Sequence, residues 1–193
     1  MNQRVFIIHG WDGHPDKGWF PWLKSELENR KFQVIVPKLP GNSEPRIQNW
    51  VPEISRAVGD VNDHTYFVGH SMGCQAIARY IENLPIGTMA GGAVFVAGFF
   101  TRLTNIENDD ISRSVVAEWL DTPLDLQKVR AHLGKSIAIF SDNDPFVPLD
   151  NQEAFIKELG SEVVVARGQG HFSGSNGVTA LPSALEAILK VTL

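Results

Sequence analysis

Cysteine occurs once in this chain, at Cys74. A single thiol closes no internal disulfide, so the fold must rest on packing and hydrogen bonds, and the composition suits a reducing compartment such as the cytoplasm. The same scarcity removes the cysteine and histidine spacings of a zinc site, and no metal is expected. No run approaches the roughly 20 apolar residues that cross a bilayer, so no membrane is expected as a partner. Nor does a charged-then-apolar leader precede the first apolar segment, and export is not expected. Basic residues are in the minority, 17 Lys and Arg against 22 Asp and Glu, for a formal net charge of −5. That balance argues against a nucleic-acid partner, whose phosphates call for a basic face. Internal repeats and low-complexity tracts are absent too.

What is present is an even alternation of strand-like and helix-like segments along 193 residues, a length that suits one domain, residues 1–193, with a substantial core. Strands are predicted at Arg4–His9, Gln33–Val36, Thr65–Gly69, Gly92–Ala97, Ser136–Phe140 and Glu162–Ala166. They are rich in Val, Ile and Phe with little polar alternation, as parallel strands buried on both faces are. Amphipathic helices are predicted between them at Trp19–Arg30, Ile47–Val58, Met72–Leu84, Leu149–Leu159 and Leu181–Val191. The pattern predicts an α/β fold, with a six-stranded parallel sheet between helices on both faces in three α/β/α layers. One connection, Phe99 to Gly134, is long. It contains the acidic stretch Glu107 to Asp110 and predicted helices at Ser112–Leu120 and Leu124–Leu133. It reads either as a small cap or lid over a site or as a surface crossover.

Residues 69–73 are Gly-His-Ser-Met-Gly, between the apolar run Thr65 to Val68 and the helical stretch that follows. A G-x-S-x-G sequence carries chemistry where a strand turns sharply into a helix, because the turn lifts the serine hydroxyl clear of the sheet. Three further strand ends agree with it. The first runs into His9-Gly10-Trp11, the fifth into Ser141 to Pro148, which contains Asp142 and Asp144, and the sixth into Arg167-Gly168-Gln169-Gly170-His171. Serine, acid and histidine thus follow one another in the chain order of the α/β-hydrolases, not that of the chymotrypsin or subtilisin types.

A serine hydroxyl needs a base within reach, and His171, on a Gly-rich loop after the last strand, is the candidate. Asp144 is favoured over Asp142 as the acid that orients it, since Pro145 holds Asp144 extended at the loop tip. The backbone N–H groups of Met72 and Trp11 are the candidate oxyanion donors. His9, His14, His64 and His132 read as structural, and His70 as at most lining the site. Trp11, Trp19, Phe99, Phe100 and Trp119 are candidates for an apolar acyl pocket, with core packing as the alternative for each. Cys74 reads as packed, and Asp150 as a helix N-terminal acid.

With these residues the chain resembles the small serine hydrolases of the retinoblastoma-binding-protein-nine type, a compact branch of the α/β-hydrolase superfamily. The likeness rests on His9-Gly10-Trp11, Pro37-Lys38-Leu39-Pro40, residues 69–73, residues 141–148 and Gly170-His171-Phe172. It implies a minimal six-stranded hydrolase core, a triad of Ser71, Asp144 and His171 at a nucleophile elbow, and hydrolysis of small carboxylic esters without a cofactor. In that strand order the first and third strands flank the crevice where ligands bind. Retinoblastoma-protein binding through a Leu-x-Cys-x-Glu segment is not supported, because Cys74 is flanked at the matching offsets by Met72 and Ala76. A binding protein on a hydrolase scaffold, or an acyltransferase using the same three residues, are the alternative readings. Neither the natural substrate nor the oligomeric state is legible.

Overall fold

A computed structural model describes residues 3–193. Six strands form one parallel sheet: β1 (Arg4–Ile8), β2 (Gln33–Ile35), β3 (Thr65–His70), β4 (Ala90–Val96), β5 (Leu133–Ser141) and β6 (Glu162–Ala166). Their order across the sheet is β2-β1-β3-β4-β5-β6, so the order reverses between β1 and β3, where Ile8 lies beside Gly69. The predicted three-layer α/β/α architecture is the one observed.

Both faces of the sheet are apolar, which is why its strands read as near-continuous hydrophobic runs. On one face Phe6, Ile8, Phe67 and Phe95 pack under α2 (Ile47–Val58) and α3 (Met72–Glu82). On the other Val5, Ile7, Val68, Val94 and Val96 pack under α1 (Phe20–Glu28) and α7 (Pro182–Val191). A strand's side chains alternate between faces, so residues one apart enter different cores. Among the described residues, no helix is long and apolar enough to cross a membrane.

The long connection after β4 holds α4 (Asp110–Asp121) and α5 (Leu126–Ala131). The Asp109 carboxylate starts α4 by accepting from the Ile111 and Ser112 N–H groups, which satisfies two of the free donors of the first turn. The other end of α4 is tied to the core. The Arg79 guanidinium on α3 is only 4% exposed and donates to the carbonyls of Trp119, Thr122 and Pro123 at 2.9, 2.9 and 3.1 Å. Glu118 accepts from Arg46 and from the Ile47 N–H, both at 2.8 Å, and so closes the start of α2. Trp119 meets Trp50 edge-on and donates its indole N–H to the Pro45 carbonyl. The helix predicted at Ser112–Leu120 is therefore present and is part of the packed layer.

The predicted element boundaries shift where partners decide them. β5 begins at Leu133, three residues before the predicted start, because Leu133 pairs with Ala90 of β4. The predicted helix at Leu124–Leu133 is correspondingly shorter. The helix predicted at Leu149–Leu159 is a composite: a 3-10 turn at Leu149–Asn151, then α6 (Gln152–Ala154), then a π-helical turn at Phe155–Leu159 that Gly160 ends at φ +69°. Asp150 lies in the 3-10 turn and pairs with Arg102 at 2.6 Å.

Replacing Arg79 with Met keeps an apolar stem but leaves three carbonyls without their donor. The expected loss is about 3 kcal/mol of unfolding free energy, given the worth of hydrogen bonds to charged donors and the cost of stranded acceptors. It is read as a lower urea midpoint at unchanged slope.

Candidate active site

The reversal between β1 and β3 brings two chain segments too close for side chains. A Cβ on Gly73 would lie 2.4 Å from the Ile8 carbonyl oxygen, and one on Gly69 would lie 2.9 Å from the Cys74 nitrogen. Between these glycines Ser71 takes φ +53° and ψ −121°, a conformation that non-glycine residues rarely adopt. Such strain costs on the order of 1–3 kcal/mol and persists only where the surroundings over-determine it. Here the Ser71 N–H donates to the Val96 carbonyl on β4 at 2.8 Å, and the Ser71 carbonyl accepts from the Cys74 N–H at 2.9 Å. The serine is thus held at the strand-to-helix turn with its hydroxyl above the strand ends.

Ser71 Oγ lies 2.9 Å from Nε2 of His171, and Nδ1 of the same ring lies 2.8 Å from Asp144 Oδ2. A carboxylate can only accept, so Nδ1 carries the hydrogen and Nε2 is free to accept from the serine hydroxyl. The other carboxylate oxygen, Oδ1, accepts from the Phe146 and Val147 N–H groups at 2.9 and 3.1 Å, and the Asp144 side chain is only 2% exposed. Asp142 is used differently: its carboxylate accepts from the Gly168 N–H at 2.8 Å. The two candidate acids are thus separated by geometry, one anchoring the loop and the other meeting the histidine.

Three asparagines brace this arrangement. Asn143 Oδ1 accepts from the Gly170 N–H, and Asn176 Oδ1 from the His171 N–H. Fully buried Asn151 accepts from the Phe100 and Thr101 N–H groups and donates to the Arg102 carbonyl, fixing the segment that follows β4. None of these roles is legible in local pattern: Asn143 and Asn151 meet partners 27 and 51 residues away, and Asn176 meets His171 across a loop of irregular shape.

Trp11 and Met72 border a cavity of about 360 Å³ beside Ser71, together with His70, Phe99, Leu103, Ile106, Phe146 and His171. Among the described residues, neither the Trp11 nor the Met72 N–H donates to another group of the chain. The pocket expectation needs correction at three residues. Phe100 stacks on Phe155 at 4.5 Å between ring centroids, and Trp119 is buried against Trp50, so neither borders this cavity. Trp19 is buried as well and donates its indole N–H to the Phe172 carbonyl, steadying the residue after His171. Leu103, Ile106 and Phe146 line the cavity without having been singled out in the sequence.

Two further histidines are buried beside the site and held neutral. His70 donates from Nε2 to the His171 carbonyl at 2.8 Å, and burial, helped by the nearby His171 ring, lowers its pKa to about 3. Burial also lowers the pKa of His9, whose Nδ1 donates to the Gly10 carbonyl while Nε2 accepts from the Leu39 N–H. Because the His70 pKa falls from 6.5 unfolded to about 3 folded, the unfolded chain takes up the proton first. The stability this contributes is complete above the unfolded value and is lost as pH falls towards the folded one. Lowering pH from 7 to 5 is expected to cost about 2 kcal/mol through His70. In urea titrations, His70→Gln, which retains a donor and cannot titrate, flattens that dependence.

With the geometry in place, comparison with known proteins gives a consistent picture. The sequence model of the family described as "Serine hydrolase" matches residues 5–190. The YdeN protein of Bacillus subtilis is 29% identical over 188 residues, covering 97% of this chain and 95% of that protein. Its crystal structure superposes with a TM-score of 0.89 over 98% of each chain. Serine hydrolase RBBP9 of Rattus norvegicus is 24% identical over 159 residues, covering 82% of this chain and 80% of that protein. A structure from work on carboxylesterases of Nitrososphaera gargenis shares the fold at 15% identity, with a TM-score of 0.73 over 99% of this chain and 91% of that one. A match across nearly the whole length, on an α/β-hydrolase fold, places this protein in the serine hydrolase family as a small hydrolase of the YdeN and RBBP9 type.

Proposed function

We propose that the protein hydrolyses small carboxylic esters through a serine acyl-enzyme. The observation that carries this reading is the hydrogen-bonded series from Asp144 through His171 to Ser71, with spacings of 2.8 and 2.9 Å, beside two unpaired backbone N–H groups. Ser71 Oγ attacks the ester carbonyl carbon while His171 Nε2 takes its proton. The carbonyl oxygen becomes an oxyanion facing the Trp11 and Met72 N–H groups, and Met72 also opens α3, whose N-terminus favours negative charge. Collapse breaks the bond to the alkoxide, which leaves with the proton from Nε2. Water, deprotonated by the same nitrogen, then attacks the acyl-enzyme and releases the acid and Ser71. Asp144 keeps the imidazole in the required tautomer and stabilises the imidazolium. These steps call on no metal or organic cofactor.

Small acyl groups suit the cavity of about 360 Å³ and its apolar lining of Phe99, Leu103, Ile106 and Phe146. The chain acts in this reading as a single hydrolase domain. In this reading Leu103 and Ile106 of the long connection form one wall of the site, while α4 is tied to α2 and α3 through Glu118, Trp119 and Arg79.

A fluorophosphonate is expected to label Ser71, located by mass spectrometry, and labelling should vanish in Ser71→Ala and His171→Ala. With short-chain nitrophenyl esters, kcat/KM should fall by about 10⁴-fold or more in both variants, and by roughly 10²- to 10⁴-fold in Asp144→Asn. A folded wild type that neither labels nor turns over esters would reject the reading in favour of a scaffold that only binds. Transfer of the acyl group to added alcohols in preference to water would identify an acyltransferase.

A further inference from the structure

The proposed Trp11 oxyanion donor sits in a strained turn outside any helix or strand. Asp12, the next residue, has φ +53°, a left-handed conformation that is unfavourable for an L-residue. The loop keeps its shape through a turn closed by its own residues and through contacts from a neighbouring segment. The Gly10 carbonyl accepts from His9 Nδ1 at 2.9 Å and from the Gly13 N–H at 3.0 Å. In a trans peptide the N–H points opposite to the carbonyl, so this grip turns the Trp11 N–H away from His9.

On the other side, Asn42 makes a two-point contact. Its backbone carbonyl accepts from the Asp12 N–H at 2.9 Å, and its side-chain Nδ2 donates to the Gly13 carbonyl at 2.8 Å. The neighbouring Ser43 carbonyl accepts from the Trp11 indole N–H at 3.0 Å. The loop bearing Asn42 is itself fixed at both ends by buried tryptophans. Trp50 donates its indole N–H to the Pro40 carbonyl, and Trp119 donates to the Pro45 carbonyl, each at 2.9 Å.

We propose that Asn42 is a positioning residue for the Trp11 oxyanion donor: its side-chain amide, carried on a loop pinned by Trp50 and Trp119, holds residues 11–13 in the strained conformation that aims the Trp11 N–H at the reacting carbonyl oxygen. The proposal rests on the serine-hydrolase reading above. Asn42 touches neither the substrate nor Ser71; it acts through Gly13 and Asp12. Its effect therefore belongs to the transition state, where the oxyanion exists, and not to ground-state binding.

The test compares wild type, Asn42→Ala and Asn42→Asp on one short-chain nitrophenyl ester. Active sites are counted by fluorophosphonate titration, so that misfolded protein does not enter the rates. Asn42→Ala removes the donor. Asn42→Asp also sets an acceptor against the Gly13 carbonyl and should be the worse of the two. Per active site, kcat is expected to fall about 10-fold in Asn42→Ala and further in Asn42→Asp, with KM within about twofold, in keeping with the cost of misplacing one oxyanion donor. Affinity for an alkyl boronic acid, whose tetrahedral adduct mimics the oxyanion, should fall by the same factor as kcat/KM. A purely structural role would lower the titrated fraction and leave kcat per site unchanged, and that result overturns the proposal. So does a raised KM at unchanged kcat. If wild-type Ser71 neither labels nor turns over ester, the parent reading fails and this role fails with it, an outcome distinct from active variants that match wild type.

Discussion

The end of β1 and the turn at residues 69–73 approach so closely that no side chain fits between them, and the geometry of the site follows from that contact. A methyl group on Gly73 would drive into the Ile8 carbonyl. Given the gap, the turn can cross the top of the sheet at the reversal between β1 and β3 and hold Ser71 at φ +53°. The conformational cost is offset by the hydrogen bond to Val96 and by the first turn of α3, which continues from the serine. A looser turn would relieve the backbone and lose the hydroxyl's fixed direction.

Around that turn the protein trades loop freedom for buried polar contacts made by single side chains. Arg79, Glu118 and Trp119 bind α4 to α2 and α3, so this helix of the long connection after β4 is part of the packed layer. Asn151 fixes the exit from β4, while Asn143 and Asn176 hold the His171 loop. Each of these groups is costly to bury alone and becomes favourable through the partners it meets, so each pins its segment to one arrangement. The same economy joins the fold to the proposed oxyanion site, since Trp119 reaches it through Pro45, the loop of Asn42 and Gly13.

Three histidines lie near the serine, and their environments give them different chemistry. His9 and His70 are buried, neutral, and committed to backbone partners. His171 alone presents a ring nitrogen to Ser71. The rings of His70 and His171 are 5.0 Å apart between centroids. A charged His70 would oppose the imidazolium on which the proposed reaction depends, so keeping His70 neutral serves stability and the proposed chemistry together.

Local pattern made much of this legible. Apolar runs marked the strands because a parallel strand covered on both faces needs apolar residues throughout, and glycine spacing marked the turn because only glycine fits a close backbone approach. Apolar runs ended just before serine, acid and histidine, after the third, fifth and sixth strands. Pattern failed where the deciding partner was remote. β5 starts at Leu133 because Ala90 is opposite it, Phe100 and Trp119 face Phe155 and Trp50 instead of the cavity, and the work of Asn42, Asn151 and Arg79 shows only beside the carbonyls and amides they meet. The sequence by itself determined the sheet, the turn and the residue types at its rim, since hydrophobic periodicity and steric allowance are local properties. Tertiary structure alone decided which of the aromatics line the cavity and what holds the loops, since hydrogen bonds and packing join residues that chain distance keeps apart.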